Sequence, residues 1–228
     1  MKYPSKGLLA VPRSYPFPAR VFPVVLLLLL IGTAIRIQAQ STPISFVQVN
    51  YAAPQTAQTI VTVPYLAAQS AGNLNVVVVG WNDSTVQVQS VSDARGNTYA
   101  MAVGPTVQTG LATQSIYYAK NIAAAGAGAN SVTVTFTGGA RYADVRMAEY
   151  AGLDPVAPVD VVVAAQGTSG SSSSGPLTAT NPNDLLVAAN VVQGSTSAAG
   201  TGFTSRVITV PDGDILEDRI VTATGSYT

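Results

Sequence analysis

Alternation of apolar and hydroxyl side chains in residues 131–137 constrains the fold of this chain more than any other sequence feature. The segment reads Ser-Val-Thr-Val-Thr-Phe-Thr, so Val132, Val134 and Phe136 share one face of an extended strand and the threonines share the other. No segment repeats apolar residues at the 3.6-residue period of an amphipathic helix. Short β-type runs instead recur about every ten residues, which predicts an all-β sandwich or barrel.

Turn residues separate the predicted strands, in particular at 95–97, 138–139, 181–183 and 211–214. Residues 76–79 are four valines, as expected for a strand that is central or covered on both faces. The glycine- and serine-rich tract 167–175 is predicted to be a loop inside one domain, in preference to a linker between two. The predicted strands are 44–49, 59–63, 76–79, 86–91, 98–103, 114–119, 131–137, 144–150, 159–165, 185–192, 206–210 and 219–224.

The N-terminal segment has the order of a secretory signal peptide. Basic residues from Lys2 to Arg20 precede an apolar run of about 15 residues, which is shorter than the roughly 20 that span a bilayer. We expect residues 1–39 to form a signal helix that is cleaved after Ala39, with an uncleaved anchor as the alternative. Residues 40–228 are then one secreted or cell-surface domain, extracellular or periplasmic, that meets a membrane only during export.

Charge and composition exclude several classes of function. Five of the 11 basic residues and none of the 11 acidic residues precede residue 40, so the remainder carries six basic and 11 acidic groups. Such a surface repels a phosphate backbone, and we expect no nucleic-acid partner. The chain has no His and no Cys, which excludes a Ser-His-Asp triad, a Cys-His pair and His- or Cys-based metal sites.

Several turns and core runs resemble a secreted jelly-roll module of environmental bacteria. The runs that carry the resemblance are 73–83, 91–99, 114–122, 146–152 with 158–160, 181–186, and 202–206 with 217–219. The resemblance implies an antiparallel, concanavalin-like β-sandwich of jelly-roll type, found beside fibronectin type III and immunoglobulin-like domains in large surface proteins. It implies no activity. It also implies one more strand beyond Thr228, and the run 219–224 is accordingly predicted to be an edge that lacks its partner.

Carboxylates are the only catalytic groups that the composition leaves. Asp144 and Glu149 fall on opposite faces of one predicted strand, so they cannot form an acid–base pair. We expect an Asp144–Arg146 pair at the surface and Glu149 at a wet sheet margin, and we predict no catalytic residue.

The densest acidic cluster is a candidate Ca²⁺ site, because Ca²⁺ takes about six to eight oxygen ligands on a loop that bends around it. The alternative is a turn with solvated acids. We expect no cofactor and no tight Ca²⁺ binding. The candidate metal ligands are Asp212, Asp214, Glu217 and Asp218.

Aromatic rings suggest a second kind of site, because a flat ring suits the apolar face of a sugar. The aromatic candidates are Trp81, Tyr99, Tyr117, Tyr118, Tyr142 and Tyr150. Trp81, Asn82 and Asp83 end the valine run, where the binding loops of a sandwich gather, and Tyr117 or Tyr118 must face outward. The predicted ligand-binding residues are Trp81, Asn82, Asp83 and Tyr118.

Two function classes follow from these features. The first is a non-catalytic extracellular surface module for adhesion, spacing or carbohydrate contact, with polysaccharide or other cell-surface components and neighbouring domains as partners. The second is an accessory or catalytic β-sandwich domain of a polysaccharide-degrading enzyme, which would need two facing carboxyls about 5–10 Å apart in a groove.

Overall fold

The computed structural model describes residues 43–228, and in this part every regular element is a β-strand. The prediction of an all-β, antiparallel fold is confirmed. The signal helix and its cleavage after Ala39 lie outside the described residues. The strands are β1 (Ser45–Ala52), β2 (Gln58–Pro64), β3 (Leu74–Trp81), β4 (Val88–Asp93), β5 (Ala100–Gln108), β6 (Ala112–Ala119), β7 (Ser131–Ala140), β8 (Asp144–Ala151), β9 (Leu177–Ala179), β10 (Asp184–Ala189), β11 (Thr204–Ile208), β12 (Ile215–Val221) and β13 (Gly225–Tyr227).

A five-stranded antiparallel sheet of order β1-β8-β3-β6-β5 forms the centre. Two of its three inner strands, β3 and β8, are buried along nearly their whole length. They lie side by side in regular register, with Val77 opposite Met147 and Val79 opposite Val145. The four valines 76–79 therefore mark the central strand, as predicted.

A second sheet, of order β2-β7-β4, covers one face of the central sheet. Val132, Val134 and Phe136 of β7 point toward the central sheet, and the intervening threonines of the predicted alternation point away from it. The first core lies between these sheets. Its members include Val61, Val63, Val77, Val79, Trp81, Val132, Val134, Phe136, Val145 and Met147.

A third sheet, of order β10-β12-β11, packs against the opposite face of the central sheet. The second core contains alternate residues of β3 and β8 together with Leu216, Leu185, Val187 and Val207 of the third sheet. The central sheet is thus covered on both faces. Tyr117 and Tyr118 show the consequence: the first packs against one core and the second against the other, so both rings are partly buried and neither is fully exposed.

Two predicted strand features differ in the structure. Residues 159–165 form no strand, and Asp160 instead holds the segment by accepting hydrogen bonds from the amide (2.7 Å) and the hydroxyl of Thr180. The run 219–224, predicted to be an unpartnered edge, begins within β12, which is hydrogen-bonded to β10 on one side and β11 on the other. The nine-residue glycine- and serine-rich tract lies within the same compact unit as the strands.

Candidate functional site

Trp81 is part of the first core and offers no face to a ligand. Its side chain is 1% exposed, it meets the Phe136 ring edge-on at 5.5 Å, and its Nε1 donates a hydrogen bond to the Val86 carbonyl (3.1 Å). The predicted sugar contact at Trp81 is therefore corrected. The physical reason is the alternation along β3, which directs every second residue toward the covering sheet.

The other predicted ligand residues lie in three different places. Asp83 is a partly exposed loop residue whose Oδ1 accepts hydrogen bonds from the amides of Thr85 and Val86, both at 2.6 Å, and these bonds lower its pKa. Tyr118 lines a groove of about 390 Å³ together with Lys120. Asn82 lines a separate pocket, so the four predicted residues do not form one site.

Loops from five strand connections converge on that pocket, which we call the loop-end pocket. It encloses about 320 Å³. The contributing loops follow β1, β3, β7, β10 and β11. The side chains at its surface are Gln55, Asn82, Tyr142, Val192, Gln193, Ser195, Pro211, Asp212 and Asp214.

Amide and hydroxyl groups around the loop-end pocket have unused hydrogen-bonding capacity. The Gln55 Nε2 donates to Asp212 Oδ1 at 2.7 Å, and Gln193 Nε2 donates to Asn82 Oδ1 at 3.2 Å. Within residues 43–228 no protein group pairs with Asn82 Nδ2, Gln193 Oε1 or the Ser195 hydroxyl. The pocket thus presents both donors and acceptors, which is the requirement for binding a polyhydroxyl ligand.

Beneath the pocket lies a buried ion cluster formed by Asp144, Arg146 and Asp214, which we call the Arg146 cluster. Arg146 Nε lies 2.8 Å from Asp144 Oδ1, and its Nη2 lies 3.8 Å from Asp214 Oδ2. Its Nη1 donates to the carbonyls of Asn190 (2.7 Å) and Ile215 (2.6 Å). One guanidinium thereby ties the central sheet to β12 and to the residue that follows β10.

The Arg146 cluster corrects the prediction of a surface pair. Asp144 and Arg146 do share a face, as the alternation predicts, but both are fully buried because the third sheet covers that face. Gly80, beside Asp144 on the neighbouring strand, provides the necessary room, since a Cβ there would lie 3.2 Å from Arg146 Nη2.

Burial raises the pKa of both acids in the Arg146 cluster. The Arg146 charge opposes that shift in each case, yet the pKa of Asp144 remains above its usual range. The pKa of Asp214 rises to about 7, because burial is reinforced by the negative charges of Asp144 and Asp212. Folded Asp214 thus keeps its proton from about pH 4 to about pH 7, where the unfolded chain has lost it. The contribution of Asp214 to the free energy of unfolding therefore falls as the pH rises from about 4 to about 7.

We expect Asp214→Asn to stabilise the protein by about 2 kcal/mol at pH 8, since it removes a buried charge that one guanidinium cannot fully compensate. At pH 4 the variant and the wild type should differ by less than about 0.5 kcal/mol, because Asp214 is then protonated. Urea unfolding at the two pH values measures both differences. Asp83→Asn, at a partly exposed acid of lowered pKa, is the control and should give no stabilisation at pH 8. A loss of stability in Asp214→Asn at pH 8 would contradict the assignment.

Glu149 is also fully buried, at the other end of β8 and on the face toward the first core. Its Oε2 accepts a hydrogen bond from Gln48 Nε2 and its Oε1 accepts one from Asn73 Nδ2, both at 2.6 Å. The prediction that Glu149 lies at a solvent-exposed sheet margin is therefore wrong. The carboxylate is enclosed by side chains that lie 76 and 101 residues away in sequence, so no local pattern identifies them.

A chain of polar side chains continues beside Glu149. Asn75 Nδ2 donates to the Tyr99 hydroxyl (3.2 Å), which donates to Asp93 Oδ2 (3.0 Å), and Asn130 Nδ2 donates to Gln69 Oε1 (2.6 Å). Burial raises the pKa of Tyr99. The network pairs most of its buried polar groups, with Asn130 Oδ1 left without a partner in residues 43–228, and such a network is typical of a structural role.

The four predicted metal ligands do not form one ligand set. Asp218 is paired through both oxygens with Arg206, at 2.7 and 2.9 Å, and Glu217 on the other face of β12 accepts a hydrogen bond from the Gly200 amide (2.7 Å). Asp212 and Asp214 lie at the loop-end pocket instead. In residues 43–228 no three acidic side chains are placed to hold a metal ion together.

No helix in the described part of the chain is long and apolar enough to cross a membrane. Comparisons of this chain with protein-family models, with curated proteins and with solved structures found no match.

Proposed function

We propose that this chain is a non-catalytic extracellular surface module that contacts polysaccharide through the loop-end pocket. The observation that carries the proposal is the convergence of five loops around a polar pocket with an aromatic ring at its edge. Tyr142 is 47% exposed there, beside the free amide group of Asn82 and the free carbonyl of Gln193. A sugar ring offers an apolar face to an aromatic side chain and hydroxyls to surrounding amides.

Export and architecture complete the proposal. Residues 1–39 are first basic and then apolar, which supports secretion or surface display. The net negative charge of residues 40–228 disfavours binding of nucleic acid. Sheet-on-sheet packing supports the sandwich class, and the jelly-roll type with neighbouring domains in a larger surface protein is part of the proposal. Adhesion or spacing is the role that such a module would perform.

One observation favours the second function class, a domain of a polysaccharide-degrading enzyme. Asp212 and Asp214 both line the loop-end pocket, and a pKa of about 7 suits Asp214 for a general acid. Hydrogen bonds and burial restrict the access of a substrate to both carboxyls, however. Asp214 Oδ1 accepts from the Val192 amide (2.8 Å), Asp212 Oδ1 accepts from Gln55, and Asp212 Oδ2 is shielded from solvent. These contacts support binding over hydrolysis.

Titration of the secreted protein with cellohexaose, xylohexaose and mannohexaose tests the binding proposal. We expect at least one of these uncharged oligosaccharides to bind, and we expect Asn82→Ala with Gln193→Ala to weaken that binding about tenfold or more. Lys120→Ala, in the separate Tyr118 groove, is the control and should bind as the wild type does. Absence of binding to all three would overturn the proposal.

Release of reducing ends from the corresponding polysaccharides separates the two function classes. The binding proposal expects no release above background. Release that is lost in Asp214→Asn would establish the enzyme alternative instead, because that variant removes the one candidate acid.

A further inference from the structure

Tyr142 has a backbone conformation that is unfavourable for a bulky residue. Its φ is +46°, and Asn121 at +50° is the other non-glycine residue of 43–228 with a positive φ. Asparagine adopts this left-handed region with little difficulty, whereas an aromatic residue there is a genuine outlier. Glycine would fit the position without strain.

Packing does not account for the strain at Tyr142. The turn itself is well fixed, because Ala140 and Ala143 on either side are fully buried and the Arg141 carbonyl accepts a hydrogen bond from the Asn82 amide (2.8 Å). The Tyr142 side chain, by contrast, is about half exposed, and its hydroxyl has no hydrogen-bond partner within residues 43–228. A strained residue that adds little to the core is evidence of a role in function.

Charge around the loop-end pocket restricts the ligand further. Asp212 and Asp214 are the ionisable carboxyls at its surface, and no Lys or Arg side chain lines it. Directly beneath, the Arg146 cluster adds Asp144 and one guanidinium, so three carboxyls stand against a single cation. An anionic sugar would therefore meet a net negative charge and no cation at the pocket surface, which disfavours its binding.

We infer that Tyr142 is the ring on which a sugar stacks, and that the loop-end pocket selects uncharged pyranose units over uronate or sulfated ones. This inference rests on the proposed polysaccharide contact and names its specificity-determining residue. The strained turn holds the ring at the pocket edge, the amides of Asn82 and Gln193 meet the hydroxyls, and the acidic floor excludes anions.

Two variants at position 142 separate strain from stacking. Tyr142→Gly should raise the melting temperature, since it relieves the left-handed backbone, and should weaken oligosaccharide binding about tenfold or more. Tyr142→Phe keeps the ring and should bind within about twofold of the wild type. Asn121→Gly is the matched control: it changes the other positive-φ residue, beside the Tyr118 groove, and should leave the affinity unchanged.

The probes are the uncharged hexasaccharide that binds the wild type and hexagalacturonate, compared by calorimetry at pH 8. We expect the uncharged probe to bind at least tenfold more tightly. Wild-type affinity in Tyr142→Gly would overturn the stacking role while leaving the polysaccharide proposal intact, and equal affinity for hexagalacturonate would overturn the charge selection. Failure of every uncharged probe to bind the wild type would overturn the proposed function itself.

Discussion

Arg146→Met is expected to destabilise the protein by about 3–5 kcal/mol at pH 8 and by only about 1–2 kcal/mol at pH 4. At pH 8 the change leaves Asp144 and Asp214 buried without a cation, so each carboxyl either stays ionised and uncompensated or binds a proton at a pH that opposes protonation. At pH 4 both acids are protonated in the folded state, because burial already raises their pKa values and loss of the guanidinium raises them further. The loss that remains at pH 4 comes from the hydrogen bonds to Asn190 and Ile215.

Urea unfolding of the wild type and Arg146→Met at the two pH values measures this difference. Arg219→Met is a matched control, because Arg219 lies over the Tyr227 ring at 5.2 Å and takes part in no buried ion pair of the described residues. It should cost less than about 1 kcal/mol at either pH. An equal loss of unfolding free energy in Arg146→Met at pH 4 and pH 8 would contradict this account. It would show that the guanidinium does not act by compensating the buried carboxylates.

Glu149→Gln is expected to destabilise the protein by about 3 kcal/mol, although it changes the side-chain volume very little. Both carboxylate oxygens accept short hydrogen bonds, one from Gln48 and one from Asn73. An amide at position 149 would turn its own NH₂ group toward one of these donors, which leaves buried donors unpaired and removes two charge-assisted bonds.

Glu217→Gln makes the same chemical change at a half-buried site. Glu217 accepts a single hydrogen bond from the Gly200 amide, and the amide oxygen of glutamine can replace that acceptor. We expect this control to cost less than about 1 kcal/mol. Thermal and urea unfolding of both variants compare them directly, and equal effects would contradict the structural role of the enclosed carboxylate.

The sequence predicted which residues share a strand face but not whether that face is covered. Alternation placed Asp144 with Arg146 and Glu149 with Met147, and the structure agrees. Alternation cannot show that a third sheet packs over the polar face. The four valines 76–79 indicated that β3 is covered on both faces. Because β8 pairs directly with β3, the same covering sheets extend over β8.

The loop-end pocket could not be predicted from the sequence, for a different reason. Its residues come from five loops, and only the register of the strands brings Gln55, Asn82, Gln193 and Asp212 together. Tyr142 was one aromatic candidate among six. Its turn was predicted at Gly138 and Gly139, but β7 continues through both glycines to Ala140 and moves the turn to residues 141–143.

Gly139 within β7 has a steric reason that the sequence does not reveal. A Cβ on Gly139 would lie 3.3 Å from the Ala57 side chain, so this position needs a small residue for close packing and not for a turn. Because Gly138 and Gly139 were predicted to form the turn, the predicted strand ended too early. The prediction therefore did not place Tyr142 in the turn.

Chemical-shift mapping of the isotope-labelled protein with the uncharged hexasaccharides tests the central claim most directly, because it locates the ligand as well as detecting it. We predict saturable shifts of the signals of Asn82, Tyr142, Gln193 and Ser195, with none at Tyr118 or Lys120. Shifts confined to the Tyr118 groove, or no shift with any of the three oligosaccharides, would contradict the assignment of the loop-end pocket as the polysaccharide site.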